Sequence, residues 1–456
     1  MKTALHQWGV AEALSQLHAR TVSAEELAQA LLDRAERIDG QVHAYLWRDP
    51  AQVLRDARAA DQRRRRGDAD DLPPLLGVPL AIKDVMPVRG MPTSYHSRWA
   101  SPESAPEDAA CVARLRATGA ILLGKLSTHE FAIGGPTQDL PYPAARNPWK
   151  LTHHPGGSSS GAAAGLAAAL FPAAIGTDTG GSVRGPADAC GVLGLKPTHG
   201  DIPMRGIRPL TYTLDQVGPM TRTARDLPLI LAALSGRPMA ISWREDLRGL
   251  RVGYLRHFHT EDVAADPEIA AALDTAAQDL RSLGADVREV RLPALPYCMA
   301  ITGVVASVEA WLAHRDGLRD APRKYTGRSR RRLAIGAFLS GADYLDAQRR
   351  RQALKADVDA LLADCDLLLA ASSLRPACRI DDDAAIDASY PFEARSPFSA
   401  TGHPALNLPI GFTASGLPIG AQFIGRYRGE AGLIASAETY LQARWQSRYP
   451  LFPADT

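Results

Sequence analysis

The sequence predicts an α/β protein with a largely buried sheet. Short apolar segments that suit strands alternate with segments of helical periodicity along most of the chain. The composition is that of an ordinary globular protein, with 46% hydrophobic and 22% charged residues in 456 positions. Length and composition together allow a sizeable core and exclude a disordered chain, a coiled coil and a collagen-like repeat.

The first predicted element is an amphipathic helix over residues 23–39. Ser23 and Glu26 form a capping box, in which each side chain can bind a free amide of the first turn. Gly40 is predicted to end this helix. The basic run at 63–66 is predicted to be a solvated surface turn.

The remaining predicted elements alternate between strands and helices. The predicted strands cover residues 76–85, 121–125, 250–255, 286–290 and 366–370. The predicted helices cover residues 109–118, 267–283 and 345–362, the second opening at Asp266. The small-residue stretch 161–176 is interpreted as a buried helix, because it is shorter than the roughly 20 residues of a membrane span.

Charge and cysteine content limit the partners and the location of the protein. Lys plus Arg number 52 and Asp plus Glu 50, so the formal net charge of +2 argues against nucleic-acid binding. The five cysteines are odd in number and form no CxxC pair, which argues against a disulfide framework or a zinc site. No signal peptide or membrane span is recognised, so we expect a cytoplasmic protein without membrane attachment.

Glycine and serine concentrate in two segments, PGGSSSGAAAGLAAAL (155–170) and GTDTGGSVRGPA (176–187). Glycine lets the backbone approach a ligand closely, and free amides before a helix can bind an anion or an oxyanion. Neither segment has the spacing of a phosphate loop. Residues 157–161 match GxSxG with Ser159 as nucleophile, but no strand precedes them, as an α/β-hydrolase elbow requires.

A third interpretation is a serine hydrolase that uses a lysine as its base. Lys83 lies in an otherwise apolar predicted strand, and burial would lower its pKa and favour the neutral amine. A lysine at a strand end is more often exposed or paired. The residues alone therefore leave these interpretations open.

These segments taken together resemble the amidase signature family. The similarity extends to GVPLAIKDVMPVRGMPTS (77–94), GKLSTHEFAIGG (124–135), RNPW (146–149), LDQVGPMTRTARDL (214–227) and TGHPALNLPIGFTASGLPIGAQFIG (401–425). All of them fall in the order that the family has. The resemblance implies a single large domain whose central mixed, mostly buried sheet is covered by helices on both faces.

The resemblance also implies how the domain is organised. We expect an N-terminal helical arm over 1–70 and an amidase domain over 71–456. Within the latter, the signature core covers about 77–227, a variable substrate region about 240–395, and a C-terminal strand and helix region 398–445.

By resemblance the chain has the family's Ser-cisSer-Lys triad. Lys83 would be the base, Ser158 the bridging serine and Ser182 the nucleophile. The oxyanion hole would be formed by backbone amides, those of Thr179, Gly180, Gly181 and Ser182. No metal and no organic cofactor are implied, and a catalytic histidine is not expected.

Two further residues of the second serine segment have predicted supporting roles. Asp178 is predicted to order the loop by binding backbone amides, and Arg184 to pair with a carboxylate or to cap a helix. The chain departs from the family pattern at Ser160, where the family often has glycine, and at Val85, where polar residues are common.

The substrate pocket is expected along the loop at 131–138 and among aromatic residues of the variable region. The loop candidates are Ile133, Gly134, Gly135 and Gln138. The aromatic candidates, which would suit an apolar or aromatic group, are Trp311, Tyr325, Phe338, Tyr390 and Phe392.

The function that this resemblance implies is hydrolysis of small linear carboxylic amides, aryl amides included, through an acyl-enzyme on Ser182. One alternative is a carbamate, urethane or ureido (biuret-like) hydrolase with the same triad. Another is the amidase subunit of a tRNA-dependent amidotransferase, although the loop GGPTQDLPYPAARNPW (134–149) differs from the usual amidotransferase version. The expected partner is a small amide or carbamate, and a homodimer is compatible with the sequence.

Overall fold

The computed structural model describes residues 4–67, 71–99, 103–140, 142–389, 394–445, 448–450 and 452. Within these residues eleven strands form one mixed sheet. They are β1 (Tyr45–Trp47), β2 (Pro79–Lys83), β3 (Ile121–Leu126), β4 (Ala173–Asp178), β5 (Leu193–Lys196), β6 (Gln216–Thr221), β7 (Arg251–Tyr254), β8 (Asp286–Glu289), β9 (Leu367–Ala371), β10 (Ala405–Phe412) and β11 (Pro418–Ile424).

Helices flank this sheet, as the sequence predicts. In the described part of the chain they are α1 (Val10–His18), α2 (Ala24–Val42), α3 (Pro50–Arg66), α4 (Ala110–Ala117), α5 (Ser160–Ala167), α6 (Arg184–Cys190), α7 (Leu227–Ser235), α8 (Pro267–Ser282), α9 (Leu295–Asp320), α10 (Gly327–Ala334), α11 (Gly341–Asp364), α12 (Asp383–Ser389), α13 (Ser396–Thr401) and α14 (Glu430–Arg444).

The strands lie in the spatial order β1-β3-β2-β4-β6-β5-β10-β11-β9-β7-β8. β2 pairs in parallel with β3 on one side and with β4 on the other. β4, β6, β5, β10, β11 and β9 then follow as antiparallel neighbours. Because parallel strands end at the same edge of a sheet, the carboxyl ends of β2 and β4 lie side by side, with Lys83 as the last residue of β2.

The sheet interior is apolar and continuous with the N-terminal helices. Every residue of β2, β3 and β4 is buried, and their apolar side chains belong to one hydrophobic core that also includes α2. The strand β1 attaches residues 45–47 to the sheet edge by antiparallel pairing with β3. Burying this apolar area against both faces of the sheet is the main favourable contribution to folding.

Several sequence predictions are confirmed by this architecture. The α/β class is correct, and the capping box is present, since Ser23 accepts from the Glu26 amide while Glu26 accepts from the Ser23 amide. The helix that opens at Asp266 is α8, whose first turn receives the Asp266 carboxylate. The predicted strands match β2, β3, β7, β8 and β9 within a few residues.

Other predictions about elements are wrong. The first long helix continues past Gly40 to Val42, and His43 ends it in the left-handed conformation at φ 55°. Residues 63–66 are the last turn of α3 rather than a solvated turn, and Arg64 is buried. Basic side chains are stabilised by the negative end of a helix dipole, which explains their position.

The stretch 161–176 also differs from its prediction. The helix α5 ends at Ala167, and residues from Ala173 onward form the buried strand β4. By length and composition alone, α9 in the described chain could cross a membrane, with 39% of its apolar window buried. α9 packs against α11 and α13, and core helices of soluble proteins meet the same criterion.

Candidate active site

Lys83 lies at the centre of the site with its amine out of contact with solvent. Its Nζ donates to the hydroxyl of Ser158 and to the hydroxyl of Thr177, each at 2.7 Å. Burial lowers the pKa of Lys83 to about 7, although the charges of Asp215 and Asp178 oppose this shift. Near neutral pH a large share of the molecules therefore carries a neutral amine that can accept a proton.

Ser158 is held by a close contact between two segments of the chain. The Gly157–Ser158 peptide bond is cis, and the Ser158 carbonyl accepts from the His129 amide at 3.1 Å. A Cβ on residue 157 would lie 2.0 Å from a carbon of the His129 ring, so only glycine fits there. The imidazole therefore braces the backbone that carries the bridging serine.

The His129 ring has a structural environment. Its Nδ1 accepts from the Gly135 amide at 2.9 Å. Burial, together with the nearby His154 and Lys83, lowers the pKa of His129 well below its ordinary value. A neutral ring bonded in this way supports the packing role and gives no indication of a Ser-His pair.

The two serine segments are joined directly. The Ser159 amide donates to the Ser182 carbonyl at 3.1 Å. The Ser159 hydroxyl bonds to the backbone of Thr177 in β4, to its carbonyl at 3.2 Å and to its amide at 3.3 Å. Ser159 is thus directed into the sheet, whereas Ser182 remains partly exposed at the start of α6.

Asp178 organises the loop that contains Ser182. Its carboxylate accepts from the backbone amides of Gly181 at 2.8 Å and Val183 at 3.2 Å. It also pairs with Arg184 at 3.0 Å, and both side chains are fully buried. Burial opposes ionisation, but the charge and hydrogen bonds of Arg184 outweigh it and hold the pKa of Asp178 below its usual range. The predicted roles of Asp178 and Arg184 are confirmed.

This loop geometry bears on the predicted oxyanion hole. The Gly181 amide is already bonded to Asp178, which leaves the amides of Thr179, Gly180 and Ser182 as the candidate donors. Gly181 has φ +124°, and a Cβ there would lie 2.6 Å from the Arg395 side chain, so the loop requires glycine at that position.

A cavity opens beside Thr177 and Thr179. Its walls come from β4, the loop at 204–215 and the segments near residues 95 and 131; the side chains include Val85, Tyr95, Phe131, Arg208 and Asp215. Asp215 accepts from the Thr179 hydroxyl at 2.7 Å, which fixes that wall of the cavity. The cavity therefore borders both the lysine and the start of the predicted oxyanion hole.

The predicted substrate residues of the loop at 131–138 lie elsewhere. Ile133 is buried in a cluster with Phe131, and Gly135 bonds to His129. Gly134 is half-buried and Gln138 is exposed. The cavity beside Thr177 is lined by Phe131 and Ala132 from this loop rather than by these four residues.

The aromatic candidates are scattered. Tyr325 is buried with its ring 5.2 Å from that of Phe131, and Trp311 is half-buried. Phe338 is 88% exposed, which does not suit a pocket residue. Tyr390 and Phe392 lie outside the described residues.

Sequence reasoning missed several residues that support the site. Thr177 shares the lysine with Ser158, and its position within GTDTGGS is the signal that could have indicated it. Asp215 lies within the LDQ motif, and no local pattern marks it as part of the cavity wall. Asp84, which follows the lysine, pairs at 2.7 Å with the buried Lys125 and anchors the end of β2 to β3.

Comparisons with known proteins agree with this geometry. A family model described as Amidase matches residues 26–434. A glutamyl-tRNA(Gln) amidotransferase subunit from Roseiflexus castenholzii is 37% identical, and the match covers 98% of each chain. A crystal structure described as amidase superposes with a TM-score of 0.86 at 31% identity, covering 96% of this chain and 99% of that one. The corresponding amidotransferase subunit of Thermotoga maritima gives 0.80 at 28%, covering 98% of this chain and 98% of that one.

Proposed function

Because this chain belongs to the amidase family, whose members act on carbon–nitrogen bonds, we propose that it hydrolyses small linear carboxylic amides through an acyl-enzyme on Ser182. The observation that carries this proposal is the buried Lys83 amine, 2.7 Å from the Ser158 hydroxyl. An amine with a pKa of about 7 in that position suits a base that works through a bridging serine.

In the first step the neutral Lys83 accepts the proton of Ser158 while Ser158 accepts that of Ser182. The Ser182 oxygen forms a bond to the amide carbonyl carbon, and the carbonyl π electrons move to oxygen. The resulting oxyanion is bound by the amides of Thr179, Gly180 and Ser182. Each such donor typically contributes about 2.7–4 kcal/mol in the transition state.

In the second step the proton returns through Ser158 to the nitrogen, and the carbon–nitrogen bond breaks. Amines are poor leaving groups, so this protonation is needed for expulsion. Water then attacks the acyl-Ser182 ester, its proton passes to the same relay, and the acid product leaves with Ser182 restored. Thr177 keeps Lys83 in place throughout.

A substrate panel tests the chemistry. Purified protein would be assayed on primary amides including glutamine, anilides, carbamates and ureido acids, with Ser182→Ala, Ser158→Ala and, as a matched control, Ser159→Ala. We expect Ser182→Ala to lower kcat by at least about 10³-fold and Ser159→Ala to retain activity. Turnover that survives Ser182→Ala but is lost in Ser159→Ala would overturn the proposal. Preference for carbamates or ureido acids would select that alternative substrate class.

A second candidate function has its own support. The 37% identity along 98% of a glutamyl-tRNA(Gln) amidotransferase subunit favours an amidase subunit that releases ammonia from glutamine for a partner acting on tRNA. The higher TM-score to the amidase structure, 0.86 against 0.80, favours the stand-alone enzyme. Co-expression with candidate partner subunits separates the two. Full activity of the chain alone supports the hydrolase, whereas co-purification with partners and activity only in the complex supports the amidotransferase.

A further inference from the structure

The cavity beside Thr177 and Thr179 contains a guanidinium without an acidic partner. Arg208 lies in the loop between β5 and β6 and is half-buried. Within the described residues it forms no ion pair; its one hydrogen bond is a long one of 3.5 Å to the Ala313 carbonyl. Its Nε is buried and has no hydrogen-bond partner there.

Two aromatic rings fix the orientation of this guanidinium. Its central carbon lies 4.7 Å from the centre of the Trp99 ring and 5.2 Å from that of Phe131. Such stacking stabilises the cation without using its N–H groups, because those point outward in the guanidinium plane. The hydrogen-bond donors therefore stay available to a planar acceptor.

The nearby Asp215 does not serve as that acceptor. Its two carboxylate oxygens accept from the hydroxyls of Thr179 and Thr211 and from the amides of Leu210 and Thr211, at 2.7–3.1 Å. These four bonds engage both oxygens and disperse the negative charge within the loop. The cavity is left with one polar group whose bonding capacity is unused among the described residues, and that group is a cation.

We propose that Arg208 binds a carboxylate of the substrate, so that the preferred amides of this protein carry an acid group. The proposal rests on the amide hydrolysis proposed above. The same cavity is bordered by Thr177, which contacts Lys83, and by Thr179, the first residue of the predicted oxyanion hole. One small molecule can therefore reach from the guanidinium to the reacting groups.

The test compares two substrates that differ only in charge. These are the monoamide and the diamide of the same straight-chain dicarboxylic acid, over a range of chain lengths. Arg208→Gln should lower kcat/KM for the monoamide by about 10²- to 10³-fold, mainly through KM, because a partly desolvated ion pair is lost. The diamide should change by less than about threefold, and Arg208→Lys should recover part of the loss. Arg205→Gln is the control, since Arg205 is exposed on the same loop.

A binding measurement separates this inference from the proposed function. Calorimetry of the dicarboxylate with wild-type and Ser182→Ala protein should show binding that Arg208→Gln abolishes. Arg208-dependent binding without turnover of any amide would defeat the hydrolase proposal and leave this inference standing. Amide turnover without preference for the monoamide, or an equal loss on both substrates in Arg208→Gln, would overturn the inference alone.

Discussion

The Nζ of Lys83 and the hydroxyl of Thr177 lie 2.7 Å apart, where the parallel strands β2 and β4 end side by side. The pairing of these strands sets the distance, since the two residues belong to adjacent rigid elements. The lysine therefore reaches Ser158 from a fixed position rather than from a mobile loop. Catalytic groups on strands are held more tightly than groups on loops, and the following predictions use that property.

The first prediction concerns the pH dependence of the rate. If neutral Lys83 is the base, kcat/KM should fall about tenfold for each unit of pH below about 7, the pKa to which burial lowers this lysine. The sign follows because protonation removes the base, so activity is lost toward acid and retained above. Steady-state kinetics across the pH range would measure it. A rate that stays flat well below neutral pH would exclude Lys83 from this role.

The second prediction concerns Thr177→Val. The hydroxyl accepts a hydrogen bond from the lysine and favours its charged form, so its loss should lower the pKa of Lys83 further. We expect kcat to fall about tenfold and the acid limb of the pH profile to move to lower pH. Thr439→Val, which changes a buried threonine of α14, is the control. An unmoved acid limb in Thr177→Val would mean that the contact does not tune the base.

The third prediction concerns Gly157→Ala. The added Cβ would lie 2.0 Å from the His129 ring, so the segment that carries Ser158 must shift. A displacement of about 1 Å in a catalytic group can cost about 10²-fold in rate, and we expect a loss of that size in kcat. Gly432→Ala, whose Cβ meets no atom within 4 Å, should leave kcat unchanged. Equal activity of the two variants would show that the His129 contact is dispensable.

The fourth prediction concerns the buried ion pair of Asp178 and Arg184. Arg184→Met leaves the Asp178 carboxylate buried and uncompensated, which should lower the free energy of unfolding by about 3–5 kcal/mol. Arg225→Met removes an ion pair with Glu438 in which Arg225 is half exposed, and should cost less than about 1 kcal/mol. Urea unfolding would measure both. If Arg184→Met does not fold, the double variant with Asp178→Asn should recover stability, and a failure to do so would contradict this account.

The family and the fold class could be predicted because they are written in contiguous segments. The strand that ends at Lys83 and the two serine segments each combine residue type with spacing inside one short stretch. The triad roles themselves remain predictions that the variants above test. The geometry does bring Lys83 and Ser158 into contact across 75 positions of sequence.

Other features could not be predicted, because tertiary contacts determine them. Thr177 faces the lysine only because β4 pairs with β2, and that pairing is not visible in either strand alone. Arg208 resembles any loop arginine until Trp99 and Phe131 are seen to stack on it. Gly40 is exposed with open space around it, so a helix tolerates it at this position despite the usual stop signal.

The contacts of Arg184 also impose an order on the birth of the active site. Its guanidinium donates to the Arg395 carbonyl and the Gln422 side chain, which follow it by 211 and 238 positions. A nascent chain that has exposed Ser182 outside the ribosome still lacks the groups that seat this arginine beside Asp178. The nucleophile loop can therefore reach its final shape only after β11 has been translated, so hydrolytic competence would arise late, once synthesis is nearly complete.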